Sequence, residues 1–148
     1  MLNNDRHASA AIAQSIKLWH TCIEQRDFSL LATLIHPEAI FRSPMAYQAY
    51  ESSTAMIMIL TTVIQVFENF TYHREFMTEE GNNIVLEFSA NIGNRQLKGI
   101  DMIRFDEQGR IVEFEVMIRP FSGLQALGLA MSQRLGESLG PYQAQPTP

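Results

Sequence analysis

The sequence predicts a segregated α+β fold, with helices first, a run of antiparallel strands after them, and one more helix at the C-terminus. Three observations carry this. Apolar residues recur at helical spacing as far as Phe67; from Asn69 they fall into long strand-like runs separated by turn residues; helical spacing returns after Pro120. Helices followed by a meander argue against alternating βαβ units and for an antiparallel sheet with helices on one face. At 148 residues the chain is long enough for one domain, spanning 1–148, with a core of its own.

The elements follow in order. Ala8 to Arg26 is a helix, with Ile12, Ile16, Trp19 and Ile23 at spacings of four, three and four. Asp27 ends it or caps a short second helix through Phe28, Leu30, Leu31 and Leu34. His36-Pro37 stops that helix, because the residue before proline is pushed out of the helical region. A short strand, Ala39 to Arg42, is closed by Ser43-Pro44. Glu51 to Phe67 is a third helix, capped by Ser52 or Ser53; Met56, Leu60, Val63 and Phe67 form one stripe, and Ile57, Ile59, Ile64 and Val66 widen it. So apolar a helix is buried on more than one side. Strands are expected over Phe70–Glu79, Ile84–Ile92, Arg95–Phe105 and Arg110–Ile118, with turns at Glu80–Asn83, Gly93-Asn94 and Asp106–Gly109. Leu124, Leu127, Met131 and Leu135 give a helix from Pro120 to Leu139, ended by Gly140-Pro141. The ends, 1–7 and 141–148, are expected to be flexible.

Composition excludes several functions. With 46% hydrophobic residues, 18% charged residues and a net charge of −5, the chain is globular, and no block of Lys or Arg offers a footprint for nucleic acid or an anionic membrane. The longest apolar run, Ala55 to Leu60, falls far short of the roughly 20 residues of a membrane span. The polar start, Met1 to His7, has no signal-peptide core, which points to the cytoplasm. Cys22 is the one cysteine, so neither an intrachain disulfide nor a cysteine zinc cluster is expected. No histidines stand at metal-ligand spacing, and no GxSxG, GxGxxG, P-loop or CxxC motif occurs; neither metal nor cofactor is inferred.

The segment Gly99 to Pro120 carries the chemistry. Asp101 interrupts the apolar positions of its strand, on the face shared by Gly99, Ile103 and Phe105, while Phe114, Val116 and Ile118 share a face on the next strand and Glu113 and Glu115 point outward. A carboxylate aimed into an apolar interior is costly unless it is hydrogen-bonded, protonated or used. If the sheet curls, the concavity between sheet and helices becomes a pocket with Asp101 inside.

Four passages together are similar to the SnoaL-like and ketosteroid-isomerase-like group of the NTF2-like superfamily. They are Glu24-Gln25-Arg26-Asp27-Phe28, the Leu34-Ile35-His36-Pro37-Glu38-Ala39-Ile40-Phe41 passage, Ser43-Pro44, and the hairpin from Gly99 to Ile111. The resemblance covers about residues 10 to 120 and implies a cone-shaped α+β barrel: N-terminal helices packed on a strongly curved, mostly antiparallel sheet, often paired as a homodimer through the outer sheet face. Ketosteroid isomerases of the group hold a base aspartate, a tyrosine and a protonated aspartic acid. The resemblance puts Asp101 at the protonated acid, Trp19 at the tyrosine and Ser43 at the base aspartate. Serine is no base at neutral pH without a neighbour to take its proton, and indole offers only an N–H donor. Limonene-epoxide-hydrolase-like members resemble the chain at the same strand, but Gly99 stands where their arginine is expected.

The candidate set is therefore Asp101 as the proton-handling group, with Trp19 and Ser43 as hydrogen-bonding partners. Phe41, Met45, Tyr47, Met56, Leu60, Phe88, Phe105, Phe114, Val116 and Ile118 are expected around the pocket, and His20 and Arg119 at its rim. Each has a plainer alternative: Asp101 as a structural acid bonded to Trp19 or a backbone amide, Trp19 as core, His20 on the surface, Arg119 paired with Glu115 or Glu51. Met102, Arg104 and Met117 point away from Asp101 and would lie at a dimer seam. Two functions stay open: a small-hydrophobic-molecule enzyme of the isomerase, cyclase or lyase type, and a ligand-binding or dimerisation module without chemistry.

Overall fold

In the computed structural model, which describes residues 9–142, three helices precede four long strands. Helix α1 (Ala10–Gln25) starts at Ser9, whose hydroxyl accepts from the Ile12 amide, and ends at Arg26 in the left-handed region. A one-turn helix α2 (Leu31–Leu34) leads directly into β1 (Ile35–Arg42). Ser52 caps α3 (Ser53–Val66) through the Ala55 amide, and Ala55, Met56, Ile59, Leu60, Ile64 and Val66 are buried, as expected of a helix apolar on several sides. Strands β2 (Glu68–Met77), β3 (Asn83–Ile92), β4 (Arg95–Phe105) and β5 (Ile111–Arg119) form the meander. Helix α4 (Phe121–Leu135) passes into a 3₁₀ segment, Gly136–Tyr142.

The sheet runs β1-β5-β4-β3-β2, with β1 parallel to β5 and the other pairs antiparallel. The sheet is curved and does not close, and α1, α3 and α4 cover its concave side. On β4 the odd positions Leu97, Gly99, Asp101, Ile103 and Phe105 are buried, as the alternation requires. The opposite face carries charge: Glu113 pairs with Arg42 and Arg104, and Glu87 with Arg74 and Lys98. Met102 and Met117 stand exposed on that outer face.

Three boundaries differ from the sequence expectation. His36-Pro37 lies inside β1, which pairs at Ile35↔Ile111 and then slips to Ile40↔Glu113, so the proline sits in an irregular stretch where its missing N–H breaks no ladder bond. Strand β2 begins two residues early and contains a bulge. The last helix changes to 3₁₀ at Gly136, whose φ of 51° favours glycine, and Gly140-Pro141 falls within that segment. The flexible ends expected at 1–7 and 143–148 fall outside the described residues; Pro141 and Tyr142 belong to the 3₁₀ segment.

The Asp106–Gly109 turn is pinned to α1. Gly109 has φ 82°, its carbonyl accepts from the Ser15 hydroxyl at 2.6 Å, and a Cβ there would stand 2.6 Å from the Ala11 carbonyl oxygen. Gly93 has a similar φ of 59° with open space around it. Gly109→Ala is expected to cost about 2–3 kcal/mol and Gly93→Ala about 1; urea midpoints that move equally for both would contradict the tight packing of this turn on α1.

Candidate functional site

A cavity of about 270 Å³ lies between the concave sheet face and the helices, and it reaches Asp101. Its walls are Trp19, Ile23 and Phe28 from the first helical region, Leu60, Val63 and Ile64 from α3, Phe88, Phe114, Val116 and Ile118 from the sheet, and Leu127, Met131 and Leu135 from α4. Phe41, Ser43, Met45 and Tyr50 close one side. Helix α4 approaches the sheet closely because Gly123 lies against Leu97, so this wall comes from the chain's own C-terminal helix.

Strand register explains how the acid comes to sit inside. Asp101 lies between Leu86 on β3 and Val116 on β5, and the neighbouring rung runs Tyr72, Phe88, Gly99, Ile118. A Cβ on Gly99 would stand 2.7 Å from the Phe88 ring. Glycine therefore leaves room for the Phe88 ring. Across this gap Tyr72 donates its hydroxyl to Oδ2 of Asp101 at 2.6 Å, and Trp19 donates Nε1–H to the Tyr72 oxygen at 2.9 Å. Among the described residues no donor reaches the other carboxyl oxygen, Oδ1, and no buried side-chain oxygen is left without a partner, so Oδ1 opens on the cavity.

Burial dominates the electrostatics. Asp101 is only 6% exposed, and desolvation pushes its carboxyl up to about 7 against the opposing effect of the Tyr72 hydrogen bond. The same burial, reinforced by the neighbouring carboxyl, pushes the Tyr72 phenol well above its ordinary value. Among the described residues no lysine, arginine or histidine lines the cavity.

Several expectations need correction. Trp19 is buried and lines the cavity, but its N–H is spent on Tyr72 and not on Asp101. Ser43 reaches the wall, where its Oγ accepts from the Met45 amide in a local turn and makes no bond to Asp101. Phe41, Met45, Leu60, Phe88, Phe114, Val116 and Ile118 line the cavity; Met56 and Phe105 are buried in the core away from it. Tyr47 is 99% exposed, because the loop after Pro44 carries it outward. His20 stands behind Tyr72, edge-on to its ring with centroids 5.3 Å apart, and its Nε2 lies 3.4 Å from Glu75. Arg119 is exposed beside Pro120, away from the cavity, and pairs with neither Glu115 nor Glu51.

Tyr72 is the residue that sequence reasoning missed. Strict alternation along Phe70, Tyr72, Arg74 and Phe76 would put charge and ring on one face. The bulge resolves this: β2 spends three residues between its pairings with Phe88 and Leu86, where β3 spends two. His73 and Arg74 then both bond outward, to Ser89 and Glu87, while Tyr72 stays inward. The available signal was the Phe70-x-Tyr72 pair alone, an aromatic hydroxyl two residues from an apolar ring.

Residues 16–114 match the model of the SnoaL-like domain, so the chain belongs to the SnoaL-like family. A steroid Δ-isomerase from Pseudomonas aeruginosa is 54% identical; the match covers 90% of this chain and 97% of that one, with a TM-score of 0.86. An uncharacterised bacterial protein with a cystatin-like fold from Silicibacter pomeroyi DSS-3 is 29% identical over 90% of this chain and 94% of its own, with a TM-score of 0.80. An NTF2-like protein from Mesorhizobium loti, 15% identical over 76% and 93% with a TM-score of 0.66, shares the fold. No curated protein sequence matches. Among the described residues no helix is long and apolar enough to cross a membrane, and no group of side chains is arranged to hold a metal ion.

Two measurements test this geometry. Carboxyl NMR should place the Asp101 midpoint near 7, and Tyr72→Phe should raise it, because the lost hydrogen bond favours the ionised form. A midpoint that falls in Tyr72→Phe would contradict the assignment. Native Asp101 holds its proton more tightly than the unfolded chain does, so wild type loses stability as pH rises from about 4 to about 7 and no further above. Asp101→Asn should therefore gain on wild type across that window, by ~4 kcal/mol at most. Urea unfolding at the two ends of the window would reveal a flat difference if Asp101 were ordinarily solvated.

Proposed function

We propose that the protein binds a neutral, largely apolar carbonyl compound and shifts a double bond by moving one proton, an isomerase-type reaction that needs no cofactor. One observation carries the reading: a buried carboxyl with no cationic partner, close to half-ionised at neutral pH, with one oxygen fixed and the other open to an apolar cavity. The 54% identity to a protein described as a steroid Δ-isomerase supports a polycyclic ketone as the substrate class.

Asp101 is the sole carboxylate of the lining among the described residues, so the proton is routed through it. Oδ1 takes the proton from the carbon between the carbonyl and an isolated alkene. The electron pair delocalises toward the carbonyl oxygen as a dienolate, and the same proton returns to the far alkene carbon, leaving a conjugated enone. Tyr72 and Trp19 hold the carboxyl plane throughout. The remaining hydroxyl-bearing wall residues, Ser43, Tyr50 and Ser132, are the candidates to donate to the carbonyl oxygen. The rival reading, ligand binding without turnover, draws on Ser43 standing where a second carboxylate would serve as base. Pairing of two copies through the outer face is consistent with exposed Met102 and Met117 there.

A β,γ-unsaturated 3-ketosteroid, followed through its conjugated-enone absorbance, decides between the two readings. Wild type should turn over, and Asp101→Asn should lose about 10³-fold in kcat/KM. Tyr72→Phe should move the acidic limb of the pH profile upward, and Ser43→Ala should cost less than about tenfold. Binding without turnover in wild type would favour the module; full activity in Asp101→Asn would exclude this mechanism.

A further inference from the structure

Two carboxylates are buried among the described residues, Glu87 and Asp101, each 6% exposed and on opposite faces of the same sheet. Glu87 has two cationic partners, Arg74 and Lys98. The less buried Glu113 and Asp106 also have theirs, Arg42 and Arg104 for one and Arg110 for the other. Asp101 alone among these has none. Oδ1 opens on a cavity whose lining, among the described residues, holds nine aromatic residues and no basic one, with Trp19, Tyr72, Phe88 and Phe114 among the aromatics. A carboxylate amid aromatic rings is complementary to a positive charge on an apolar body, because the ring faces and the anion both favour a cation once water is excluded.

We propose that this cavity also captures hydrophobic ammonium ions, with the N–H of the ligand donated to Oδ1 of Asp101 and its apolar body against the aromatic wall. The site is the one that the proton-transfer reading uses, but the ligand class differs, because that reading needs a neutral ketone. Either can fail without the other. The groups around Asp101 are Tyr72 from β2, Trp19 from α1, Leu86 and Phe88 from β3, and Val116 and Ile118 from β5, while α3 and α4 bring no titratable side chain to the lining and Ser132 as its one polar group. On the far side of the Tyr72 ring stand His20, edge-on to it, and Glu75, whose Oε1 lies 3.4 Å from Nε2 of His20. Capture therefore depends on the ionisation of Asp101. It strengthens as pH rises through about 7 and releases a proton when it occurs below that pH.

Three probes with one hydrocarbon cage and different charge test this: adamantylamine, adamantanone and adamantane carboxylate, each titrated calorimetrically into the full chain. At pH 8 the amine should bind at least about tenfold more tightly than the ketone, and the carboxylate more weakly than either. From pH 6 to pH 8 amine affinity should rise about tenfold, while ketone affinity should not rise. In Asp101→Asn, which keeps an acceptor for the Tyr72 hydroxyl, amine and ketone should come within about threefold of each other. Should that variant fail to fold, the wild-type pH dependence and the proton release, read from titrations in buffers of different ionisation enthalpy, carry the test alone. Equal binding of amine and ketone at pH 8, an amine preference that survives Asp101→Asn, or no amine binding at millimolar concentration would each overturn the proposal.

Discussion

Taking a carboxyl group out of water into the concave side of a sheet is unfavourable, and the arrangement around Asp101 answers to that cost. One oxygen is satisfied by Tyr72, whose own oxygen is satisfied by Trp19, so helix α1 and strands β2 and β4 are tied together by two hydrogen bonds at the cavity wall. No ion pair neutralises the charge. The desolvation penalty therefore appears as proton affinity, and the carboxyl titrates near neutrality instead of near 4. The proton affinity of the acid is a consequence of that one placement.

The outer face of the same sheet offers the contrast. Glu87, as buried as Asp101, is held down to about 2 by Arg74 and Lys98. Two carboxylates on neighbouring strands thus differ in proton affinity by several orders of magnitude because one face of the sheet supplies cations and the other supplies rings. The outer ladder of Arg42, Arg104 and Glu113 continues that pattern along β4 and β5.

Closure of the cavity depends on glycine at close approaches. Gly99 makes room for Phe88 on the sheet floor, Gly123 lets α4 approach Leu97, and Gly128 leaves a notch into which the Met45 thioether folds. Helix α4 and the Ser43–Tyr50 loop consequently meet at Gly128, and both contribute to the wall of the cavity. Membership of the SnoaL-like family fits this architecture, while Ser43 and Trp19 set the chain's polar groups apart from the ketosteroid-isomerase arrangement that its motifs suggest.

The sequence alone determined the element order, the third helix buried on several sides, the β3, β4 and β5 runs, and the inward facing of Asp101 together with Phe114, Val116 and Ile118. All of these follow from local period, which is two on a strand and near four on a helix. The family, too, was legible, from the order of its motifs. Tertiary structure alone decided which groups meet. Tyr72 reaches Asp101 because a bulge opposite Glu87 flips the phase of β2, and a bulge leaves no trace in alternation read from one strand at a time. Met56, Phe105 and Tyr47 show the same limit: an apolar residue near a pocket in sequence is sent to core, wall or solvent by backbone path and not by residue type. The proton affinity of Asp101 was likewise undecided by its own strand, since it depends on what the facing helices and strands fail to supply, which is water and positive charge.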